Sequence, residues 1–171
     1  MKPFILQMAG ESGAGKSTLA LAVGEATGAV VLDKDLIYGP LIDEGVLRMG
    51  MGGPSYAVLF KMADSILSQR LSLILDSGAF WPTIIERGQM IAERRDARYF
   101  IVECQCPDTD EQEKRLTTRT GEVSQPRSRA QMEASLSRPG VLLTVKEPHL
   151  DVDTTKPLEI CVRRVLEYIG R

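Results

Sequence analysis

Residues 10–18 read Gly10-Glu11-Ser12-Gly13-Ala14-Gly15-Lys16-Ser17-Thr18, and this stretch decides the fold that the sequence predicts. Its outer glycines, its lysine and the serine that follows occupy every fixed position of the phosphate-binding loop pattern G-x-x-x-x-G-K-[ST]. The apolar run over residues 4–9 predicts a buried strand before the loop. Apolar residues at helical spacing follow Ser17 and predict a helix that Gly28 ends. Because strand, turn and helix are all present, a chance match is disfavoured.

The residue types in this loop fit the binding of a nucleoside triphosphate. Glycines let backbone N–H groups wrap a phosphate chain, and the helix that follows adds partial positive charge at its N-terminus. Lys16 is predicted to reach the outer phosphates and act in catalysis, and the Ser17 hydroxyl is predicted to ligate Mg²⁺. The predicted nucleotide-binding residues of the loop are Gly10, Ser12, Gly13, Ala14, Gly15, Lys16, Ser17 and Thr18.

Length and composition indicate a single domain over residues 1–171. The 43% apolar and 26% charged residues are typical of a globular protein with a substantial core. The formal net charge of −2 disfavours a broad nucleic-acid surface, for which a basic domain is expected. Three cysteines are too few for a disulfide framework or a zinc site and are expected to be small buried residues. No signal peptide or membrane span is visible, so a cytoplasmic protein without a membrane partner is expected.

Acidic residues follow two of the predicted strands. Residues 29–32 lead into Asp33 and Asp35, and residues 71–76 end in Asp76. Ligands of open α/β sheets gather at the carboxyl ends of the strands. Asp33 and Asp35 are therefore predicted substrate residues, as candidates for accepting a hydroxyl proton or for holding Mg²⁺ through water. Asp35 is predicted to be the base, because it lies further out toward an acceptor if the strand geometry persists that far. Asp76 is predicted to support Mg²⁺. A turn or capping role is the alternative, and it fits Asp33 better than Asp35.

Residues 36–55, termed the flap, contain five glycines and two prolines and predict the least regular part of the chain. Such a segment is either a mobile substrate-binding flap or a surface loop without a role, and both interpretations stay open. The helical period returns at Tyr56. Further on, Phe80 and Trp81 precede a helix that starts at about Pro82. These two aromatic residues are predicted to wall a substrate pocket, unless they only pack on neighbouring elements.

Residues 113–138, termed the lid, combine helical and basic segments. Asp108 and Glu111 predict a helix start, and that helix carries Arg115 and Arg119, which are predicted to lie one turn apart on one face. A polar loop and a second short helix follow. Arginines in such a lid neutralise the charge that spreads in phosphoryl transfer, so Arg115 and Arg119 are predicted catalytic residues. The alternative is a solvated charged face.

Two stretches compete for the fifth strand, residues 142–145 and residues 149–153. The second is preferred because the final helix follows it directly. This helix is predicted to start near Pro157, to stop at Gly170 and to bury Leu158 among its apolar residues. His149, the only histidine, has no nucleophile motif nearby and is interpreted as structural.

Taken together, these pieces resemble the small P-loop kinases of the family that includes chloramphenicol phosphotransferase and the polynucleotide 5′-hydroxyl kinases. The resemblance covers nearly the whole chain. It rests on residues 10–18, Leu32-Asp33-Lys34-Asp35, Ile74-Leu75-Asp76, Arg115 with Arg119, and residues 147–154. The fold that it implies is α/β, with a five-stranded parallel sheet, helices on both faces and a small arginine-bearing lid.

The resemblance also implies roles for individual residues. The acid that matches Asp35 activates the acceptor hydroxyl in such kinases, and the loop after the last strand would bring Asp153 and Thr154 beside the adenine. Many relatives carry an arginine three residues after the acid, where this chain has Tyr38, a predicted substrate residue. A phosphorylated or polynucleotide acceptor is therefore disfavoured.

The expected activity is ATP-dependent transfer of the γ-phosphoryl group to a hydroxyl of a small-molecule acceptor, with ATP and Mg²⁺ as cofactors. A regulatory NTPase without an acceptor and a polynucleotide 5′-hydroxyl kinase are the alternatives. The acid pair and the arginine lid favour the small-molecule kinase, and the lack of an N-K-x-D stretch disfavours a GTPase switch. Fold carries no substrate identity, so the acceptor stays open, as does the oligomeric state.

Overall fold

A sheet of five parallel strands runs through the computed structural model, which describes residues 2–138, 141 and 145–171. In chain order the strands are β1 (Phe4–Ala9), β2 (Val30–Asp33), β3 (Leu73–Asp76), β4 (Arg98–Gln105) and β5 (Leu150–Asp153). Their spatial order is β2-β3-β1-β4-β5, so the strand that carries the phosphate-binding loop lies in the centre. The predicted five-stranded parallel α/β fold is confirmed.

The described residues form seven helices around this sheet. They are α1 (Lys16–Thr27), α2 (Asp35–Asp43), α3 (Gly53–Ser68), α4 (Pro82–Arg94), α5 (Thr109–Thr118), α6 (Arg129–Leu136) and α7 (Leu158–Ile169). α1 and α7 cover one face of the sheet, and α3 and α4 cover the other. Within the described part of the chain, none of these helices is long and apolar enough to cross a membrane.

The central strand β1 is buried on both faces. Phe4, Leu6 and Met8 pack toward α1 and α7, whereas Ile5 packs toward α3 and α4. Side chains alternate across a strand, so a parallel strand that is covered by helices on both sides reads as a continuous apolar run. This burial fixes the carboxyl end of β1 between β3 and β4, and the phosphate-binding loop therefore starts at the centre of that edge of the sheet.

The first half of the flap is helical, which corrects the prediction of an irregular segment. α2 begins at Asp35 and contains Pro40, although proline removes a helical hydrogen bond. Tyr38 and Gly39 in this helix are buried, so tertiary packing outweighs the local breaker signals. Gly39 approaches the carboxylate of Glu122 in the lid so closely that a side chain at position 39 would collide with it. The flap and the lid are therefore in direct contact.

Three smaller predictions also differ from the structure. α5 ends at Thr118 and Arg119 has an extended backbone, so Arg115 and Arg119 do not share a helical face. Leu158, predicted to be buried by the last helix, is 40% exposed. Cys104 and Cys161 are buried as expected, but Cys106 lies beyond the end of β4 and is half-buried.

The last strand is where the preferred interpretation placed it. β5 spans Leu150–Asp153 and α7 follows; it ends at Ile169, and Gly170 caps it in the left-handed conformation. Of the competing stretch, residues 142–144 lie outside the described residues.

Candidate active site

A cleft of about 820 Å³ lies at the carboxyl ends of the strands, where open α/β sheets bind ligands. The phosphate-binding loop forms one part of its wall, aromatic side chains form another, and acids and arginines lie in the same wall. The predicted site residues in the wall are Ser12, Gly13, Gly15, Lys16, Ser17, Thr18, Asp33, Asp35, Tyr38, Asp76, Phe80, Trp81, Arg115 and Arg119. Four other predicted residues are outside the wall: Gly10, Ala14, Asp153 and Thr154.

The phosphate-binding loop has the backbone conformation that only glycines adopt without strain. Gly13 and Gly15 have φ angles of 80° and 79°, in the left-handed region. Gly10 has a φ of 115° and packs against the Cys104 carbonyl of β4 too closely for any side chain. α1 begins directly after Gly15, so the positive end of its dipole lies at the loop.

Lys16 is held against the loop by two backbone carbonyls. Its Nζ donates hydrogen bonds to the Gly10 oxygen at 2.9 Å and to the Glu11 oxygen at 2.7 Å. Burial lowers the pKa of Lys16, and the nearby carboxylate of Asp76 partly opposes that change. The ammonium group is therefore positioned where the loop would surround a phosphate.

A glutamine of α5, directly before the lid, supports the outside of the loop. Gln112 Nε2 donates to the Ser12 carbonyl at 3.1 Å and to the Glu11 carboxylate at 3.2 Å. Gly13 lies against Gln112 and Leu116, where a Cβ would come within 3.0 Å of the Gln112 Cγ. This role of Gln112 could not be predicted from the sequence, since a polar residue in an amphipathic helix gives no signal of a contact about a hundred positions away.

Ser17 and Asp76 form the pair that was predicted for Mg²⁺. Asp76 ends β3, is only 5% exposed and lies near Ser17, whose hydroxyl favours the ionised carboxylate. Burial raises the pKa of Asp76, and the Ser17 hydroxyl and the Lys16 ammonium partly oppose that rise. A buried carboxylate next to a hydroxyl is a donor set that suits Mg²⁺, which prefers oxygen ligands. These residues fit the ion.

The chain turns between Asp33 and Asp35, which corrects the expectation that the strand geometry persists. β2 ends at Asp33, and Asp35 is the first residue of α2. The Asp33 Oδ1 atom accepts a hydrogen bond from the Asp35 backbone N–H at 2.7 Å. Asp33 therefore has the turn role that was the alternative to a catalytic or metal-binding role. Its side chain nevertheless also lines the cleft.

Asp33→Asn is expected to stabilise the folded protein at neutral pH by about 1 kcal/mol, a figure that allows for solvent screening. Burial raises the pKa of Asp33 from 3.8 to about 6, although the hydrogen bond from the Asp35 N–H partly opposes the rise. A carboxyl group with a raised pKa binds its proton more tightly in the folded state, so its contribution to stability is lost as the pH rises through this interval. Asparagine keeps the accepting oxygen without the buried charge.

Urea denaturation of both proteins between pH 3.5 and 8 tests this expectation. The advantage of the variant should be small at the acidic end, grow through the pKa interval and stay level above it. A difference that does not change with pH would mean that the Asp33 charge has no part in it.

Asp35 is surrounded by donors from the lid and from its own turn. Its Oδ1 accepts the Ser124 hydroxyl at 3.0 Å and pairs with the Lys34 ammonium, and its Oδ2 accepts the Gln125 amide at 3.1 Å. Burial acts to raise the pKa of Asp35, but the charge of Lys34 and these hydrogen bonds together outweigh burial and lower it. Asp35 is thus an ionised carboxylate in the cleft. Lys34, Ser124 and Gln125 were not predicted, and only the polarity of the lid loop hinted at the last two.

The two lid arginines that were predicted to be catalytic have different surroundings. Arg115 donates from Nη1 to the Thr154 hydroxyl and from Nη2 to the Thr154 carbonyl, both at 3.0 Å, and pairs with Glu111. Arg119 makes one long contact, from Nη1 to the Pro126 carbonyl at 3.5 Å. Both line the cleft, but Arg115 is anchored to the loop after β5 while Arg119 is less constrained.

Thr154 packs on the outside of the phosphate-binding loop. Its hydroxyl donates to the Ala14 carbonyl at 3.0 Å, and a Cβ on Gly15 would lie 3.1 Å from the Thr154 Cβ. The Asp153 carboxylate closes its own turn by accepting the Thr155 N–H at 3.0 Å. Contact of these two residues with adenine stays a prediction.

Aromatic side chains form one part of the cleft wall. Its members are Tyr38, Tyr56, Phe60, Phe80 and Trp81. The Tyr38 hydroxyl holds the flap, since it donates to the Arg48 carbonyl at 2.9 Å and accepts the Met51 N–H at 3.1 Å. Arg87, another residue that the sequence analysis missed, lies over the Phe60 ring at 4.7 Å. This part of the cleft suits a compact ligand with an apolar body.

Comparison with solved structures shows the same fold in small-molecule kinases. A sugar kinase from Janibacter sp. HTCC2649 is 21% identical with a TM-score of 0.69, and the match covers 99% of this chain and 95% of that one. A gluconokinase from Sinorhizobium meliloti 1021 is 20% identical with a TM-score of 0.67, covering 99% and 93%. The APS kinase CysC of Mycobacterium tuberculosis, in complex with AMPPNP and APS, is 16% identical with a TM-score of 0.69, covering 99% of both chains.

Comparison with protein families places most of the chain in one of them. No curated protein matches the chain. The family model described as AAA domain matches residues 5–139, which include the phosphate-binding loop, the acids of β2 and β3, and the whole lid. The chain therefore belongs to the AAA domain family and has the fold of a P-loop kinase.

Proposed function

We propose that the protein is an ATP-dependent kinase that transfers the γ-phosphoryl group to a hydroxyl of a small-molecule acceptor. The observation that supports this most strongly is the position of Asp35, an ionised carboxylate in the same cleft as the phosphate-binding loop. The narrower likeness to the group around chloramphenicol phosphotransferase, which rests on the residues quoted above, is part of the same proposal.

The residues of the cleft divide the reaction among them. Lys16 and the loop backbone bind the phosphates, and Ser17 with Asp76 would hold Mg²⁺, which offsets triphosphate charge when bound. Asp35 accepts the proton of the acceptor hydroxyl. The hydroxyl oxygen then forms a bond to the γ-phosphorus while the bond to the β,γ-bridging oxygen breaks, and ADP leaves. Arg119 faces the charge that spreads over the transferred group.

The aromatic wall and the net charge favour a small acceptor over the alternatives. A polynucleotide acceptor calls for cations along the path of its backbone, but this chain has a net charge of −2 and Tyr38 where many relatives have arginine. A regulatory NTPase needs no carboxylate to receive an acceptor proton, so the position of Asp35 argues against it.

An acceptor screen tests the proposed activity. ADP formation from Mg·ATP would be followed with aminoglycosides, phenicols, nucleosides, sugars and short oligonucleotides, and mass spectrometry would identify the phosphorylated product. Turnover that requires one small-molecule class supports the kinase. ATP hydrolysis that no acceptor stimulates supports the regulatory NTPase, and 5′-phosphorylated oligonucleotides support the polynucleotide kinase.

Arg119→Ala is expected to lower kcat at least about tenfold with a smaller change in nucleotide affinity, because its contacts strengthen in the transition state. Arg115→Ala should lower kcat and also the melting temperature, since Arg115 ties the lid helix to Thr154. The double variant should lose more kcat than nucleotide affinity.

Steady-state kinetics and nucleotide calorimetry measure these effects. Arg127→Ala is the matched control, because Arg127 lies in the same lid outside the cleft wall and donates to the Gly121 carbonyl. An unchanged kcat in Arg119→Ala would support the solvated-face alternative. A collapse of nucleotide affinity with kcat intact would assign the arginines to ground-state phosphate binding.

A further inference from the structure

Three metal-ligating side chains meet at the β4–β5 edge of the sheet, outside the wall of the active-site cleft. Glu103 of β4 and Asp151 of β5 are neighbours in the strand register, and His149 precedes β5. One ligand atom from each of the three lies within 4.8 Å of those of the other two. Glu103 is 7% exposed, so this cluster is partly built into the interior.

The hydrogen bond of His149 fixes which ring nitrogen carries a proton. Nδ1 lies 2.7 Å from the Glu147 carbonyl oxygen, and a carbonyl oxygen only accepts, so Nδ1 is the donor. In the neutral imidazole, Nε2 then presents a lone pair. This lone pair faces the Glu103 Oε2 at 3.3 Å and the Asp151 Oδ1 at 3.4 Å. A lone pair held against two carboxylate oxygens is repulsive unless a positive charge lies between them.

The distances fit a metal ion better than a shared proton. A charge-assisted N–H···O bond to a carboxylate is about 2.7–2.9 Å long, and both separations are longer than that. Ligand atoms at about 2.0–2.1 Å from a tetrahedral ion are separated by about 3.3–3.5 Å from one another. The two separations from Nε2 match that spacing.

Neighbouring groups already orient these ligands. The Gln105 amide donates to the Asp151 Oδ1 at 2.8 Å, the Val145 N–H donates to the Glu103 Oε2 at 3.4 Å, and the Glu147 carbonyl holds the imidazole. A metal-binding histidine typically donates its other ring N–H to a carbonyl or carboxylate in this way.

We propose that Glu103, His149 and Asp151 bind a divalent transition-metal ion, with Zn²⁺ as the best match. One imidazole nitrogen and two carboxylate oxygens are a donor set that Zn²⁺ accepts, with a further position left for water. The ion joins the short edge strand β5 to β4. Because β5 leads directly to Thr154, which packs on Gly15, the ion also steadies the support of the phosphate-binding loop.

Metal titration of the EDTA-treated, nucleotide-free protein tests the site. Calorimetry with Zn²⁺ should give one equivalent, and Zn²⁺ should raise the melting temperature more than Mg²⁺ does. His149→Gln and Asp151→Asn should each lower Zn²⁺ affinity by about 100-fold or more, since each removes a direct ligand. Asp151 is exposed, so its variant remains informative if His149→Gln folds poorly.

Two control variants separate this site from other metal binding. Asp76→Asn should keep the Zn²⁺ equivalent, because that variant affects only the active-site cleft. Cys106→Ser should also keep it, which excludes binding by the half-exposed thiol. Since the chain has one histidine, the imidazole NMR signals report on His149 alone and should shift with Zn²⁺.

Three outcomes would overturn the proposal. These are the absence of Zn²⁺ binding in the wild type, Zn²⁺ binding that disappears in Asp76→Asn or Cys106→Ser, and an imidazole that stays protonated on both nitrogens when Zn²⁺ is added at neutral pH. None of them bears on the kinase activity, which is measured separately with Mg·ATP and an acceptor.

Discussion

Lys16→Ala is expected to reduce ATP turnover by on the order of 10²-fold or more while the protein stays folded. The Lys16 ammonium is held at the phosphate-binding loop by the Gly10 and Glu11 carbonyls, in a half-buried position where charge interactions are stronger than in water. Its removal would take away the proposed charge-assisted contact to the phosphates, and such a contact is worth several kcal/mol in the transition state. Folding should survive, because the loop keeps its glycines and its support from Gln112.

The measurement is ADP release from Mg·ATP, with circular dichroism to confirm the fold. Lys61→Ala is the matched control, since Lys61 is an exposed lysine of α3 outside the cleft wall and should leave turnover unchanged. Unchanged turnover in Lys16→Ala would contradict the assignment of the loop as the nucleotide-binding site.

Asp35→Asn is expected to bind Mg·ATP normally and to lose acceptor-dependent turnover by about 10² to 10⁴-fold, the usual cost of losing a positioned base. Asparagine preserves the size of the side chain but cannot take a proton from the acceptor. Because Lys34 and the lid donors outweigh burial and lower the pKa of Asp35, the wild-type base stays ionised in mildly acidic solution. Turnover of the wild type should therefore persist below neutral pH.

Two other aspartates provide the comparison. Asp76→Asn should weaken the Mg²⁺ dependence itself, because Asp76 lies beside the Ser17 hydroxyl. Asp33→Asn should keep near-normal turnover, because its carboxylate closes a turn. Nucleotide calorimetry and turnover with a confirmed acceptor would be measured for all three variants. If Asp33→Asn loses turnover while Asp35→Asn keeps it, the base has been assigned to the wrong aspartate.

Sequence reasoning predicted the parts of the fold that have strong local signals. The glycine pattern around Lys16, the apolar run that ends at Asp76 and the helix start at Asp108 each depend on residues within a few positions. α2 was missed because Pro40 and its neighbouring glycine are breakers by propensity. The burial of Tyr38 in α2 shows the tertiary packing that overrides them, and a local pattern does not contain that information.

The contacts that complete the site could not be predicted for a different reason. Ser124 and Gln125 are 89 and 90 positions away from Asp35 in the chain, and Gln112 is about as far from the loop that it supports. Periodicity and motif spacing report only on neighbours in sequence. Arg119 shows the same limit on a shorter scale, since the last turn that would have aligned it with Arg115 does not form.

The hydrogen bonds from Ser124 and Gln125 to Asp35 give the acceptor an internal competitor. The Oδ1 atom already accepts from Ser124 and pairs with Lys34, so a substrate hydroxyl engages this oxygen only in molecules where one of these contacts is open. The observed dissociation constant then equals the intrinsic constant divided by the fraction of open molecules. Variants in which the hydrogen bond from Ser124 to Asp35 is weakened would therefore show a lower dissociation constant for the acceptor without any new contact to it. The lid loop thus raises the acceptor concentration that is needed for half-saturation, in addition to forming part of the cleft wall.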